Sequence, residues 1–524
     1  MSLTTEPTTD DAGAEPTVSA VLPSHPVIET FDPRYGTLIG VVPDMDDVAV
    51  RAAVARARAV SGAWSSLTYA ERSRHLLAVR DRLLDRAEEL VEVICAETGK
   101  QRAEAVTTEL MAVCETMSWY ARNGDKVLAP QSVSPGLMAH KKAWKRYEPM
   151  GVIGVISPWN YPFTLSMTPV TTALFAGNAV VLKPSEVTPT VGLAIGALFE
   201  DDDWGDLVQV VTGGGATGEA LVRSGADKIV FTGSARTGRR VMAAAADTLT
   251  PVLLELGGKD PMIVCADADL DRAAKGAVWG AFQNSGQTCM SVERVYVDER
   301  VKDAFVDRVL AETARIRQDT DGGDIGSMTF APQLELVQRH VADAVEKGAT
   351  VLAGGSRIDR PGLWFEPTVL VDVDHSMTLM TDETFGPVLP IMGVAGTDEA
   401  LRLANDSEFG LNSSVWTSDD ALGTSVANRL QAGNVCINDC IISYAVPGLP
   451  FGGVKSSGIG RVHGPEGLRE FSNLKSVLSA RVNLPREVWW FPVPAGLDAL
   501  GIRSMRLRYG SKLSARLKGL RRSS

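Results

Sequence analysis

The chain has 524 residues, a formal net charge of −12 and a pI near 5.2, a balance that argues against bulk binding to nucleic acid. At ~150 residues per domain its length suggests two to four domains, and 45% hydrophobic with 22% charged residues is the composition of a soluble globular protein with a sizeable core. Cys95, Cys114, Cys265, Cys289, Cys436 and Cys440 are scattered, no CxxC occurs and only six histidines are present, so there is no zinc signature. Free thiols suit a reducing cytosol, and a cytoplasmic location is expected. No signal peptide opens the sequence and no apolar run approaches ~18 residues.

In chain order, residues 1–26 are rich in Thr, Pro, Asp and Glu and read as a disordered leader. Val48 to Val60 and Arg72 to Ala96 carry apolar residues at helical spacing, and Gly99 reads as a helix stop. Glu104 to Tyr120 reads as one amphipathic helix with Met111, Met117 and Trp119 in the core. A Pro/Ser-rich break at 129–136 precedes a basic strand, Lys141 to Tyr147. From Gly151 short apolar runs alternate with helical stretches: Val152 to Ile156, Ala179 to Leu182, Val208 to Val211, Ile229 to Phe231 and Val252 to Leu256. That is the rhythm of a parallel α/β sheet, in which ligands bind beyond the carboxyl ends of the strands.

Four of those ends carry chemistry-bearing residues. The first presents Trp159 and Asn160 between two prolines; the Asn amide suits an oxyanion donor or an Asx turn. The second ends in Lys183, Pro184, Ser185 and Glu186, where Pro184 keeps Lys183 out of a helix; the lysine serves a ribose or phosphate, or is a solvated surface cation. The third runs into Thr232, Gly233, Ser234 and, at GxxxxG spacing, Gly238 before a helix. This is an anion site without the usual dinucleotide fingerprint, or an ordinary turn. The fourth ends in Glu255, Leu256, Gly257 and Gly258. A carboxylate there is a partly desolvated base or half of a salt bridge. Cys289 follows in the polar turn Phe282 to Met290, as a candidate nucleophile or a small buried hydrophobe.

Taken together, PWNYP, GNAVVLKPSE, FTGS with Gly238, LELGGK, FQNSGQTC, ETFGP and PFGGVKSSGIGR resemble the NAD(P)-dependent aldehyde dehydrogenase superfamily from about residue 30 to 482. The resemblance implies a Rossmann-type cofactor domain (27–130 with 150–257), an α/β catalytic domain (258–462) and a small β oligomerisation sheet (131–149 with 463–485, Lys475 to Val482 pairing with Lys141 to Tyr147). It implies a homodimer or homotetramer using NAD, or NADP, and no metal. By the same resemblance Cys289 is the nucleophile, Glu255 the base and Asn160 an oxyanion donor. Trp159, Lys183, Glu186, Gly233, Ser234, Gly238, Leu256, Glu383 and Phe385 are the cofactor-binding residues.

An apolar aliphatic or aromatic aldehyde is the expected substrate, from Tyr161, Leu165, Thr168, Met290 and the loop Asp439 to Leu449. The alternative is succinate semialdehyde, since GQTCMSVERVYV and RVHGPEGL resemble that branch; its carboxylate needs a cation, and Arg294 is the nearest in sequence. A CoA-acylating enzyme is disfavoured by Glu255, and a non-catalytic binding protein by the joint presence of Cys289, Glu255 and Asn160. Residues 486–524 form a basic, aromatic tail. Trp489, Trp490 and Phe491 are followed by eight Lys or Arg and no acid between Arg503 and Arg522. Ile502, Met505, Tyr509, Leu513, Leu517 and Leu520 recur at spacings of three and four, which predicts an apolar helix stripe. Such a helix either braces the subunits or lies on an anionic, inner membrane surface.

Overall fold

The structure is a computed structural model that describes residues 26–200, 204–514 and 516; the expected leader lies outside the described residues except for Pro26. Contacts divide the chain into two units, 1–129 with 147–473 and 130–146 with 474–524.

The first unit begins with a hairpin, Val27–Asp32 and Thr37–Pro43, and three helices, Asp47–Ser66, Tyr69–Asp85 and Ala87–Thr98. Local chemistry sets their ends. Asp46 accepts from Ala49 N–H, Thr68 and Glu71 form a capping box, and Gly99, at φ 76°, closes the third helix. The stretch Arg72 to Ala96, helical by spacing, is two helices that meet at Arg86, whose φ/ψ of −102°/15° is not helical. The next stretch also departs from expectation. A short α-turn, Arg102–Glu104, passes into a π-helical segment, Ala105–Leu110, before the helix Met111–Leu128. The extra residue per turn shifts the phase of everything after it. Met117 is buried as expected, but Met111 is 58% exposed and Trp119 only partly buried.

Two sheets fill the rest of this unit. One has, in spatial order, Gly458–Ile459, Val252–Glu255, Lys228–Thr232, Val152–Ile156, Ala179–Lys183 and Val208–Val210; all neighbours run parallel except the antiparallel edge at Gly458. Its central strands Val152–Ile156 and Ala179–Lys183 are buried throughout, as a sheet covered on both faces requires. The other has the order Thr350–Ala353, Thr368–Val371, Val388–Val394, Arg294–Asp298, Pro261–Val264, Ser414–Trp416 and Cys436–Ile437, antiparallel only at its first pair.

The second unit is built on a three-stranded sheet in the order Ser472–Ala480, Lys141–Pro149, Gln131–Val133. Glu487 is buried between Lys141 and His140, accepting from both. A helix, Leu497–Tyr509, buries none of its residues. Ile502, Met505, Tyr509 and Leu513 are exposed, as are Trp489, Trp490 and Phe491; Leu517 and Leu520 of the predicted stripe, and the basic Lys518, Arg521 and Arg522, lie outside the described residues. Among the described residues no helix is long and apolar enough to cross a membrane.

Candidate active site

The helix Leu270–Phe282, capped by Asp269 on Arg272 N–H, delivers the chain into the turn that carries Cys289. Asn284, Ser285 and Gly286 take successive left-handed conformations, at φ 50°, 53° and 73°. Two non-glycine residues there cost ~1–3 kcal/mol each, and surrounding hydrogen bonds hold them. Gln287 Nε2 donates to Asn284 O and its Oε1 accepts from Thr329 N–H, both at 2.9 Å. Ser285 Oγ donates to Gly326 O at 2.9 Å. Asn160 is tied into the same turn: its Nδ2 donates to Gln287 O at 3.0 Å, and its carbonyl accepts from Asn284 Nδ2 at 2.9 Å and from Lys100 at 2.5 Å. Gly286 meets the ETFGP segment so closely that a Cβ would lie 2.1 Å from Gly386 O.

Glu255 closes its strand with both carboxylate oxygens buried and without a hydrogen-bond partner. Burial pushes it well above the ordinary carboxylate range, with Arg461 in weak opposition. The two glycines beyond it serve close approach. A Cβ on Gly257 would meet the Glu383 carboxylate at 2.3 Å, and one on Gly258 would meet Cys289 O at 2.5 Å. Glu383 accepts from Gly258 N–H at 3.0 Å, and burial with neighbouring Glu293 pushes it up to about 8. Burial also raises the Cys289 thiol, with Asp260, Glu383 and Glu255 adding repulsion.

Beside this pair lies a buried ion pair that sequence reasoning missed, Lys259 with Glu293 at 2.5 Å. Glu293 also accepts from Thr384 N–H at 2.8 Å and Phe385 N–H at 2.9 Å, which holds Phe385 at φ 51°. Its sequence offset from Lys259 is 34, the same as that of Cys289 from Glu255.

The expected cofactor residues gather at the carboxyl ends of the first sheet and beside it. Trp159 and Phe385 pack edge to face at 5.5 Å, with Phe330 on the same indole at 5.9 Å. Lys183 is not a solvated surface cation: it ends a strand inside the sheet, it is buried, and its ammonium meets Glu186 at 3.0 Å. Ser234 caps the helix Ala235–Ala246 by accepting from Thr237 N–H. Gly238 lies inside that helix with its Cα against Leu256, where a Cβ would be 2.6 Å from the leucine side chain. Cys436 and Cys440 are both buried free thiols.

Cys289 and Glu255 line one cavity of about 250 Å³. Tyr161, Leu165, Thr168 and Met290 line it as expected, together with Ile441, Ile442, Tyr444 and Ala445 of the predicted loop. Among the described residues no lysine or arginine lines it. Arg294 points elsewhere: it is buried and donates to the carbonyls of Lys259, Leu403 and Ala404 and to Tyr296 Oη. Thr107, Thr108 and Trp279 also line the cavity. They were not foreseen, because the π-helical turn and the exposed side of a helix leave no apolar run.

A thiol and a desolvated carboxylate facing one cavity beyond the strand ends of a parallel sheet place the candidate site where α/β enzymes bind their ligands. The profile of the aldehyde dehydrogenase family matches residues 21–477, and the chain belongs to that family; its reaction is the oxidation of an aldehyde. It is 44% identical to a Methylomonas protein named 4,4'-diapolycopene aldehyde oxidase, over 89% of this chain and 88% of that one. A Mycolicibacterium smegmatis protein provisionally named succinate-semialdehyde dehydrogenase, with NADP(+) in its name, is 40% identical over 88% and 89%. Among solved structures, a Mycobacterium tuberculosis aldehyde dehydrogenase complexed with NAD+ aligns with a TM-score of 0.83 at 34% identity, covering 89% of this chain and 96% of that one.

Proposed function

We propose that the enzyme oxidises apolar aldehydes to carboxylic acids with NAD(P), NAD being preferred, and that Cys289, Glu255 and Asn160 carry the reaction. The observation behind the substrate class is the lining of the cavity: it holds Cys289 and Glu255, is mostly apolar and, among the described residues, offers no lysine or arginine to a substrate carboxylate. The name of the Methylomonas relative, 4,4'-diapolycopene aldehyde oxidase, supports the same class.

The mechanism follows from the environment of each group. Cys289 is held protonated by burial and by neighbouring carboxylates, so attack requires a base. Glu255, raised by burial, is strengthened as a proton acceptor and takes the thiol proton. The thiolate bonds to the aldehyde carbon and the carbonyl oxygen becomes an oxyanion. Asn160 Nδ2 gives one N–H to Gln287 O, leaving the other for that oxygen beside the Cys289 N–H; one such donor is worth ~3 kcal/mol. NAD(P), when bound, accepts the hydride that leaves the thiohemiacetal. After giving up the thiol proton to solvent, Glu255 takes a proton from a water as that water attacks the thioester carbon; the C–S bond breaks, and the acid leaves with Cys289 restored as the thiolate. A carboxylate base in the cavity favours hydrolysis over transfer to a thiol such as CoA.

The residues present fit a dinucleotide. Gly233 and Ser234 leave the amino end of the helix Ala235–Ala246 open to a pyrophosphate. Lys183 and Glu186 would hold the adenine ribose, and Glu383 the nicotinamide ribose. Trp159, Phe385 and Leu256 would pack on the ring, and Gly238 lets Leu256 approach. A homo-oligomer is supported by the edge strand Ser472–Ala480, which exposes Leu474 and Leu478 on one face; the molecular mass in solution tests it. The exposed aromatic and basic tail supports contact with an anionic membrane at the cytoplasmic face.

Initial rates with succinate semialdehyde, hexanal, dodecanal and benzaldehyde test the substrate class, with Cys289→Ala as the inactive control. Hexanal and dodecanal should give the higher kcat/KM; a preference for succinate semialdehyde would overturn the reading.

A further inference from the structure

Beneath Asn160 lies a buried ion pair that takes no part in the proton transfers at Cys289 and Glu255. Lys100 and Glu109 meet there with both side chains fully removed from solvent. Two charges taken out of water recover their desolvation only with good geometry and further hydrogen bonds, and an apolar pair of similar volume often serves stability as well. The role of such a pair therefore lies in what else it holds.

Both members reach on to elements of the active site. The Lys100 ammonium donates to Asn160 O at 2.5 Å and lies over the Tyr161 ring, 3.9 Å from its centroid. The Tyr161 hydroxyl shares a hydrogen bond of 2.8 Å with Oγ1 of Thr288, the residue before Cys289. Glu109 turns its other oxygen, Oε2, to the N–H groups of Phe163 and Thr164, both at 2.9 Å, where the helix Thr164–Phe175 begins. The loop that carries the lysine is fixed to the Cys289 turn as well. Thr329 Oγ1 donates to Thr98 O at 2.6 Å, and Thr329 N–H donates to Gln287 Oε1.

The consequence falls on Asn160. Its carbonyl is held by two donors, the Lys100 ammonium and Asn284 Nδ2, and one of its amide protons goes to Gln287 O. With the peptide pinned, the direction of the side chain is fixed, and so is that of its remaining N–H. A donor stabilises an oxyanion best when it stands in place before the charge develops, and a misplacement of about 1 Å can cost about a hundredfold in rate. We propose that Lys100, seated on Glu109, is the positioning residue for Asn160: its ammonium fixes the Asn160 peptide so that the free amide N–H meets the oxyanion formed at Cys289. The inference rests on the reading of Asn160 as oxyanion donor and adds the group that sets it. Glu109 acts one step further back, holding the ammonium and the start of the next helix in one frame.

The test is a double-mutant cycle read as kcat/KM with NAD and dodecanal, together with the rate at which iodoacetamide alkylates Cys289. Alkylation needs the thiol and its base but forms no oxyanion, so it separates the donor from the nucleophile. Burial favours the neutral acid for a carboxylate that has lost its cation, so Lys100→Met does not strand a charge on Glu109. Asn160→Ala should lower kcat/KM about a hundredfold or more, and Lys100→Met about thirtyfold or more. The double variant should fall no more than about threefold below Asn160→Ala, and alkylation should stay within about threefold of wild type in all three, because the lysine acts through the group already removed. Glu109→Gln keeps a carbonyl oxygen for the Phe163 and Thr164 N–H groups and removes the charge under Lys100. It should show the same pattern with a loss of about tenfold, and it carries the test if Lys100→Met does not fold. Losses that multiply in the double variant, or a fall in alkylation as deep as that in kcat/KM, would make the pair a general brace and overturn the positioning role. A Lys100→Met rate near wild type would overturn it too, with Asn160 still the donor. A wild-type rate in Asn160→Ala would overturn the donor and the positioning role together.

Discussion

Glu186 and Lys183 face each other at 3.0 Å where the adenine ribose is expected, the lysine buried and the glutamate about half exposed. The carboxylate would accept from ribose hydroxyls and repel a 2′-phosphate. Glu186→Ser removes the repulsion and leaves the lysine cation, so the NADP-to-NAD ratio of kcat/KM should rise about tenfold; an unchanged ratio would exclude Glu186 from cofactor choice. The pH dependence follows from two other groups. Burial raises both Cys289 and Glu255, and both must lose a proton to act. A raised value means the active, ionised form gains population only at higher pH, so kcat/KM should rise as pH is raised. A flat or falling profile would contradict the assignment of these groups. Which residues would stand at the strand ends was legible, because an apolar run that stops at a polar residue marks its own end. The Lys259–Glu293 pair was not, since neither residue looks unusual until two strands bring them together.

At the level of elements, the turn 284–286 depends on glycine where it meets ETFGP. Gly286 combines φ 73° with a Cβ position 2.1 Å from Gly386 O. Gly286→Ala therefore meets both backbone strain and a clash with backbone, and should destabilise the protein by about 1–3 kcal/mol and lower kcat more than tenfold by displacing Cys289. Thermal melting and turnover at saturating aldehyde check it; a variant with normal stability and kcat would mean the turn tolerates another conformation. The parallel strands and the helix before Cys289 were readable because period and apolar content agree there. The π-helical segment was not, because one extra residue in a turn leaves no mark in a pattern of threes and fours. The same blind spot concealed Thr107 and Thr108, and put Met111 in the core when it is exposed. Arg294 shows the opposite limit: its proximity to Cys289 in sequence says nothing about direction, and the strand aims it at carbonyls away from the cavity.

On the scale of the molecule, an acidic chain of net charge −12 ends in a segment with eight basic residues and no acid between Arg503 and Arg522. The helix Leu497–Tyr509 exposes Leu500, Ile502, Met505 and Tyr509 and buries nothing. That combination suits an anionic lipid surface, to which each basic residue adds about 1 kcal/mol, and a membrane is also where long apolar aldehydes partition. Full-length protein should float with vesicles containing anionic lipid at low salt, while a chain ending at Leu484 should not. Binding to neutral and anionic vesicles alike would remove the charge argument, and no binding at all would assign the tail to contacts between copies of the chain.

The central claim is that Cys289 carries the acyl group and Glu255 hydrolyses it, and Glu255→Gln separates the two steps. Incubated with NAD and dodecanal, this variant should release NADH in a slow burst equal in amount to the enzyme and then nearly stop. Mass spectrometry should find a dodecanoyl group on the peptide that contains Cys289. Steady turnover at the wild-type rate, or an acyl group on any other residue with Cys289 unmodified, would contradict the account.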